Sequence, residues 1–226
     1  MAVEPRLERS AAVYGPSAMA RLASARVAVI GVGGVGSWCA EALARTGVGH
    51  LILIDDDLVA ASNLNRQCPA TSLTLGRAKV EAMRERLLAI VPDLDVAAHT
   101  VRYTGGELPA CDLVVDAIDS VDCKTALVLA AVDAGLPVIS SMGAALRTDP
   151  TRVRVTDFAK VEGDGLARAL RHRFREQGRA LPKFPCVWSA EPPLALEARG
   201  SVMTVTATFG MCLAATAINL LIGENK

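Results

Sequence analysis

The chain has no Cys-x-x-Cys pair, few aromatic residues and no excess of charge of either sign. Its six cysteines (Cys39, Cys68, Cys111, Cys123, Cys186, Cys212) are scattered, and only three histidines accompany them. A structural zinc site needs thiolates or imidazoles at close spacing, so none is expected. Lys+Arg total 24 and Asp+Glu total 24, which leaves no global pull toward nucleic acid; an RNA partner would have to be held by a local patch. The opening MAVEPRLERS lacks the apolar run of a signal peptide, and reduced cysteines in a cytoplasmic protein are the expected state. One uncharged run, Val202 to Gly223, is long enough to span a bilayer. It contains Thr204, Thr206, Thr208, Gly210, Thr216 and Asn219, and its β-branched first half predicts a buried strand followed by a buried helix, with no membrane span.

What is present points to an α/β fold. The 226 residues are 51% hydrophobic and 21% charged, enough apolar content to bury a sizeable core and too much for a disordered chain. Apolar runs alternate with helical stretches. Strands are predicted over Val27–Ile30, Leu51–Ile54, Val96–Val101, Leu113–Val115 and Val138–Ser140. The helices between them are predicted over Ser37–Thr46 (ended by Gly47), Arg77–Ile90 (stopped by Pro92) and Val121–Ala134 (capped by Gly135). That alternation predicts a Rossmann-like, doubly wound, mainly parallel sheet with helices on both faces. Beyond it, Arg152–Thr156 reads as a half-exposed strand and Gly165–Gln177 as a helix capped by Asp164. Residues 181–200, with Pro182, Pro185, Pro192 and Pro193, read as irregular. The expected organisation is one domain over 1–226. It comprises an N-terminal arm (1–25), a nucleotide-binding part (26–145) and a substrate-side part (146–226) with an antiparallel extension.

Three motifs could carry chemistry. Gly31-Val32-Gly33-Gly34-Val35-Gly36 follows a strand and opens a helix, where glycine allows the backbone to turn and a phosphate to approach the helix N-terminus. Asp55 ends the second strand, at the position of a carboxylate that accepts a ribose hydroxyl, while Asp56 and Asp57 read as solvated loop carboxylates. Alone, this pattern means an adenine nucleotide, and an NAD-dependent oxidoreductase fits it as well. Asn63-Leu64-Asn65-Arg66-Gln67, with Lys79 thirteen residues after Arg66, separates the two. A dehydrogenase has no need of these groups, whereas a triphosphate needs Arg and Lys together, and amides hold its oxygens without added charge. Third, Asp116-Ala117-Ile118-Asp119 leaves the fourth strand, where a carboxylate can hold Mg²⁺ against phosphates; Asp119 is the candidate, and Asp116 or Asp122 reads as a helix cap.

Taken in order, GVGGVG, IDDD, NLNRQ, Lys79 and DAID resemble the ubiquitin-activating-enzyme-like superfamily of ThiF-type adenylating proteins. RLERSAAVYG, SWCAEALARTGVG, DAIDSVDCK, SMGAALRTDPTRVRVTDFAK and TVTATFG narrow the resemblance to the family of tRNA threonylcarbamoyladenosine dehydratases, over nearly the whole chain. The resemblance implies ATP-dependent adenylation of a carboxylate, with Gly31, Gly33, Gly34 and Gly36 as the phosphate-side loop and Asp55 at the ribose. Asn63, Arg66, Gln67 and Lys79 would handle the phosphates and Asp119 the Mg²⁺. Arg9 resembles an arginine that reaches into the partner subunit's site, which implies a homodimer.

The implied substrate is the threonyl carboxylate of N6-threonylcarbamoyladenosine in tRNA. Its activation by AMP lets the carbamoyl group close a ring without an enzyme nucleophile. The alternative is adenylation of the C-terminus of a small ubiquitin-like sulfur-carrier protein, which leaves a sulfur-transfer protein partner open. Missing Cys-x-x-Cys pairs argue against it; the resemblance leaves a thioester role open for Cys186, which lies in the region where an acceptor cysteine could fall, although buried cysteines are usually inert. For the tRNA, Arg168, Arg171, Arg173, Arg175, Arg179 and Lys183 face a single acid, Glu176, between residues 165 and 183. Helical spacing puts Arg168, Arg171, His172 and Arg175 on one side, opposite Leu166, Leu170 and Phe174. This predicts an outward basic face suited to phosphates, with Arg179 beyond it.

Overall fold

The computed structural model describes residues 4–197 and 200–223; residues 1–3 of the expected arm and 198–199 of the expected loop lie outside them. The strands are β1 (Arg26–Ile30), β2 (His50–Ile54), β3 (Asp95–His99), β4 (Leu113–Asp116), β5 (Val138–Ser141), β6 (Val153–Asp157) and β7 (Pro185–Ser189). They form one sheet in the order β3-β2-β1-β4-β5-β7-β6. All neighbours pair in parallel except β6, which closes one edge antiparallel to β7. Strands β1, β2 and β4 are covered on both faces, which is why they read as continuous apolar runs; edge strand β6 is half-exposed and alternates.

Among the described residues six α-helices flank the sheet: α1 (Glu8–Ser24), α2 (Gly36–Thr46), α3 (Lys79–Ile90), α4 (Val121–Asp133), α5 (Gly165–Glu176) and α6 (Met203–Ile222). On one face α1, α2, α3 and α6 bury Leu22, Leu43, Met83, Leu87, Phe209 and Leu213. On the other, α4 and α5 bury Leu127, Val128, Leu170 and Phe174 around Phe158 and Trp188. The expected N-terminal arm is thus helical. It is kinked at Gly15 (φ +78°) ahead of Pro16, and its second part is anchored by Ala18, Met19 and Leu22.

Two expectations are corrected. Val202–Gly223 is not a strand followed by a helix but the single helix α6. Its threonines return their hydroxyls to the preceding turn (Thr208 Oγ1 to Thr204 O, 2.7 Å; Thr216 Oγ1 to Cys212 O, 2.8 Å), so the β-branched residues that suggested a strand are accommodated within the helix. Gly210 lets α6 press on α2, since a Cβ there would fall 2.6 Å from Val35 O. Helix α6 is apolar and long enough to cross a membrane, but half of its most apolar window is buried in the protein, and that burial explains its composition. The stretch 181–200 is not irregular throughout, because Pro185–Ser189 is the buried strand β7. Pro185 occupies the first strand position, where a missing N–H is tolerated, and the surrounding prolines hid the apolar run Cys186-Val187-Trp188.

The chain runs β1, β2, β3 to one side and then β4, β5 to the other. The order therefore reverses between β1 and β4, and the carboxyl ends of these parallel strands open onto one crevice.

Candidate active site

That crevice is a cleft of about 1080 Å³. Its floor is the glycine loop leaving β1. Gly31 takes φ +92°, and a Cβ on it would lie 2.6 Å from Ala117 O; a Cβ on Gly36 would lie 1.9 Å from Gly31 O. No other residue fits this turn. Gly31, Gly33 and Gly34 line the cleft, and Gly36 lies behind them as the first residue of α2.

Asp55, at the end of β2, accepts from the Val32 N–H (2.6 Å) and the Asp57 N–H (2.9 Å). Burial pushes its carboxyl above the usual range, only partly offset by Lys79 and those two donors. Lys79 is the first residue of α3. It is buried, and Nζ meets Asp57 Oδ2 at 2.5 Å. Asp57 is exposed in a loop as expected, and in addition it holds the lysine at the cleft. Arg66 lays its aliphatic stem along Gly34, and Nη1 donates to Ser62 O and Asn65 Oδ1, both at 2.8 Å. Asn63 is buried, its Oδ1 accepting from the Ala60 N–H at 3.0 Å. The Gln67 amide is buried beside Gly33 and its Oε1 has no partner within the described residues, an acceptor left for whatever faces this loop.

The loop is braced from behind. Cys68 Sγ donates to Glu41 Oε2 at 2.9 Å, and Arg86 and Arg45 also bind Glu41. Burial works to raise the Glu41 pKa, but hydrogen bonds from Arg86, Cys68 and Arg45 outweigh it and hold the carboxyl below its ordinary range.

Asp119 lines the cleft and is exposed, while Asp116 is fully buried. Asp116 caps no helix. Its Oδ2 accepts from Lys124 Nζ (2.6 Å) and Ser140 Oγ (2.6 Å), and Oδ1 accepts from the Ile118 N–H at 3.1 Å. Asp122 is not the cap of α4 either; Ser120 occupies that position, and Asp122 pairs with Arg173 (2.9 Å).

Sequence reasoning brought together one side of this cleft and missed the other. Arg102, Tyr103 and Cys123 line it, as do Ser141–Ala145 after β5, Gly165, Leu166 and Ala169 on α5, and Ser201 and Thr206. The rule that ligands gather beyond parallel strand ends would have pointed to 100–103 and 141–145. Arg168 and the TVTATFG run stand out for other reasons, and no sequence signal placed 165–169 or 201–206 at the cleft.

The remaining expected residues lie apart from the cleft. Arg9 is exposed on α1 and is not among the residues lining the cleft of its own chain. On α5, Asp164 is the predicted cap, with Oδ1 accepting from the Ala167 N–H at 2.9 Å, and Arg168 and Arg175 are exposed. Arg171 instead turns inward: Nη2 donates to Phe158 O (2.9 Å) and Val161 O (2.6 Å), with the guanidinium over the Phe158 ring. Arg179 pairs with Asp133. Cys186 lies inside the sheet on β7, and burial pushes its thiol up to about 12, so it is a packing residue, not a nucleophile.

The ThiF family matches residues 7–226. The chain is 39% identical over 178 residues to the tRNA threonylcarbamoyladenosine dehydratase of Bacillus subtilis (strain 168), covering 76% of this chain and 70% of that protein. The crystal structure of the Escherichia coli tRNA N6-threonylcarbamoyladenosine dehydratase in complex with ATP superposes with a TM-score of 0.94 at 36% identity, covering 99% of this chain and 98% of that one. The molybdopterin-synthase adenylyltransferase of E. coli is more distant, 35% identical over 159 residues, 69% of this chain and 62% of that protein. A likeness that spans both the glycine loop and the C-terminal third leaves one assignment: the chain belongs to the ThiF family and, within it, to the tRNA threonylcarbamoyladenosine dehydratases.

Proposed function

We propose that this protein is an enzyme that uses ATP to dehydrate N6-threonylcarbamoyladenosine in tRNA. The observation that carries this reading is the convergence of three separate motifs on one cleft, which continues past the nucleotide half into a wall of small residues with room for a second substrate. Gly31, Gly33 and Gly34 leave space for phosphates, and Arg66 and Lys79 supply the positive charge. Asp55 serves the ribose, and Asn63 and Gln67 give the loop its amides. The threonyl carboxylate attacks the α-phosphorus and pyrophosphate leaves. The carbamoyl group then attacks the acyl carbon, and AMP departs with the carboxylate oxygen. Atoms balance as the loss of one water from the nucleoside, and proximity within one substrate makes an enzyme nucleophile unnecessary.

Asp119 is the residue we assign to Mg²⁺. Its donor chemistry fits: it is an exposed oxygen ligand at the phosphate side, and Mg²⁺ is held by one or two carboxylates together with substrate phosphates. The neighbouring Asp55, Asp56 and Asp57 have oxygens within 4.8 Å of one another, but Asp55 is taken by two N–H donors and Asp57 by Lys79. When bound, the cation supplies charge neutralisation at the phosphates.

The tRNA reading rests on α5, with Arg168 and Arg175 as the phosphate-facing cations and Arg171 and Arg179 adding charge from their packed or paired positions. A homodimer in which Arg9 completes the partner's cleft is part of the same reading, as is a cytoplasmic location alongside the substrate.

Nucleoside mass spectrometry of modified tRNA incubated with the protein and ATP tests the proposal. The expected product is the adenosine derivative lacking one water; an unchanged nucleoside sinks it. Asp119→Ala should abolish tRNA-dependent ATP–pyrophosphate exchange with the fold intact, and retained exchange would refute the metal role.

A further inference from the structure

Two buried charges outside the nucleotide half remain unexplained by the chemistry above. Asp164 begins α5, and both its oxygens are used. Oδ1 caps the helix through the Ala167 N–H at 2.9 Å; Oδ2 accepts from the Gly143 N–H at 3.2 Å and from Arg147 Nη2 at 3.1 Å. Arg147 is buried as well. It donates to Gly143 O (2.6 Å), Ala145 O (3.1 Å) and Glu191 O (3.1 Å). Gly143 is therefore held at both its N–H and its C=O, and a Cβ on it would press on Asp164 Oδ2 at 3.2 Å.

Between these groups, Leu146 takes φ +60°, the one non-glycine among the described residues in the left-handed region. Its N–H donates to Gly200 O at 2.8 Å, and its carbonyl accepts from the Leu194 N–H at 2.7 Å. A leucine holds that conformation only where its surroundings over-determine it. Burying an ion pair gains little stability over an apolar pair, because desolvation offsets the attraction. What the pair does supply is geometry: one carboxylate ties the first turn of the basic helix to the small-residue wall of the cleft.

We propose that Asp164 and Arg147 are positioning residues that set the register between the phosphate-facing side of α5 and the wall formed by 143–145. RNA gripped on α5 then presents its carboxylate at the α-phosphorus. This rests on the tRNA reading above.

Asp164→Ser keeps a good helix cap but loses the bonds to Gly143 and Arg147. Arg147→Lys keeps the charge but cannot reach all four acceptors. For each variant three quantities are measured: ATP affinity without RNA, affinity for the modified tRNA at fixed salt, and the single-turnover dehydration rate with both substrates saturating. The expected result is unchanged affinities and a rate lowered roughly ten- to a hundredfold, as misplacement of reacting groups by about an ångström costs. An unchanged rate in both variants overturns the proposal. ATP affinity falling in step with the rate also overturns it, since the pair would then be general scaffolding. If Asp164→Ser loses ATP binding and cooperative unfolding, Arg147→Lys alone decides on the same criteria. A wild-type protein that yields no dehydrated nucleoside overturns both this proposal and the function it rests on, whereas active wild type with unaffected variants removes only the positioning role.

Discussion

The two halves of the cleft are built differently. The nucleotide half is made of short contiguous motifs: six residues after β1, Asp55 directly after β2, five residues around Arg66 in the turn between β2 and α3, and Lys79 at the start of α3. The acceptor half is assembled from 141–145, 165–169 and 200–206, segments with little polar chemistry of their own. Charge concentrated in one place can be recognised along the chain; a shape made of small residues from three places cannot. The nucleotide half therefore works through its side chains, and the acceptor half through the placement of its backbone.

The largest effect is expected at the seam between the halves. Asp116, Lys124 and Ser140 are fully buried there, joining β4 to β5. Lys124→Met leaves the Asp116 charge without its partner and should cost about 3–5 kcal/mol of stability, read by urea unfolding. Adding Asp116→Asn should recover much of that loss. If the single variant is as stable as wild type, the two halves do not share this support.

Next is the chemistry of the nucleotide half. Lys79→Ala should lower tRNA-dependent pyrophosphate exchange by about 10²–10³, the usual cost of losing one preorganised electrostatic donor, with Tm little changed. A comparable loss of Tm would mean that the pair of buried Lys79 with exposed Asp57 is structural first. Arg168→Glu together with Arg175→Glu should then weaken tRNA binding and make log affinity fall less steeply with log salt, by about one in slope for each phosphate no longer neutralised. ATP affinity measured without RNA should not move; if it does, the halves are not separable.

The smallest effect concerns pH. Because burial raises the Asp55 pKa, the folded chain binds that proton more tightly than the unfolded chain. The ionised carboxylate thus costs stability at neutral pH, and the cost is relieved as pH falls through the folded pKa. Asp55→Asn should leave Tm at neutral pH equal or slightly higher. ATP affinity in the wild type should decline on acidification from a higher pH than an exposed aspartate would give, and the substitution should flatten that decline. A lower Tm at neutral pH would contradict the sign of the shift.

How far the chain could be read without coordinates follows the same division. The first five strands and the helices between them were legible because β1, β2, β4 and β5 are short, buried, mostly apolar runs closed by turn signals; edge strand β3 is the least buried of the five. Gly47, in the left-handed conformation at the end of α2, is such a signal. Strand β7 was hidden because Pro182 and Pro185 look like loop residues, although proline is tolerated at the first position of a strand. The first half of α6 was misread because β-branched threonines favour strands locally, and only its burial against α2 and the sheet selects a helix. Arg171 shows the limit for surface reasoning: its spacing puts it on the basic side of α5, but Phe158 and two carbonyls draw its guanidinium inward.

The amino-acid sequence alone determined that there is a nucleotide-type loop, a cation pair to go with it, and an alternation that builds a parallel sheet, since these depend on neighbours a few residues apart. Tertiary structure decided the rest: that Asp116 pairs with Lys124 and caps nothing, that Asp57 holds Lys79, and that Asp164 reaches both α5 and Gly143. Each of these pairings is set by how the fold brings the groups together, eight residues apart for Asp116 and Lys124 and twenty-two for Asp57 and Lys79. Spacing along the chain carries no information about which partner a buried charge will meet.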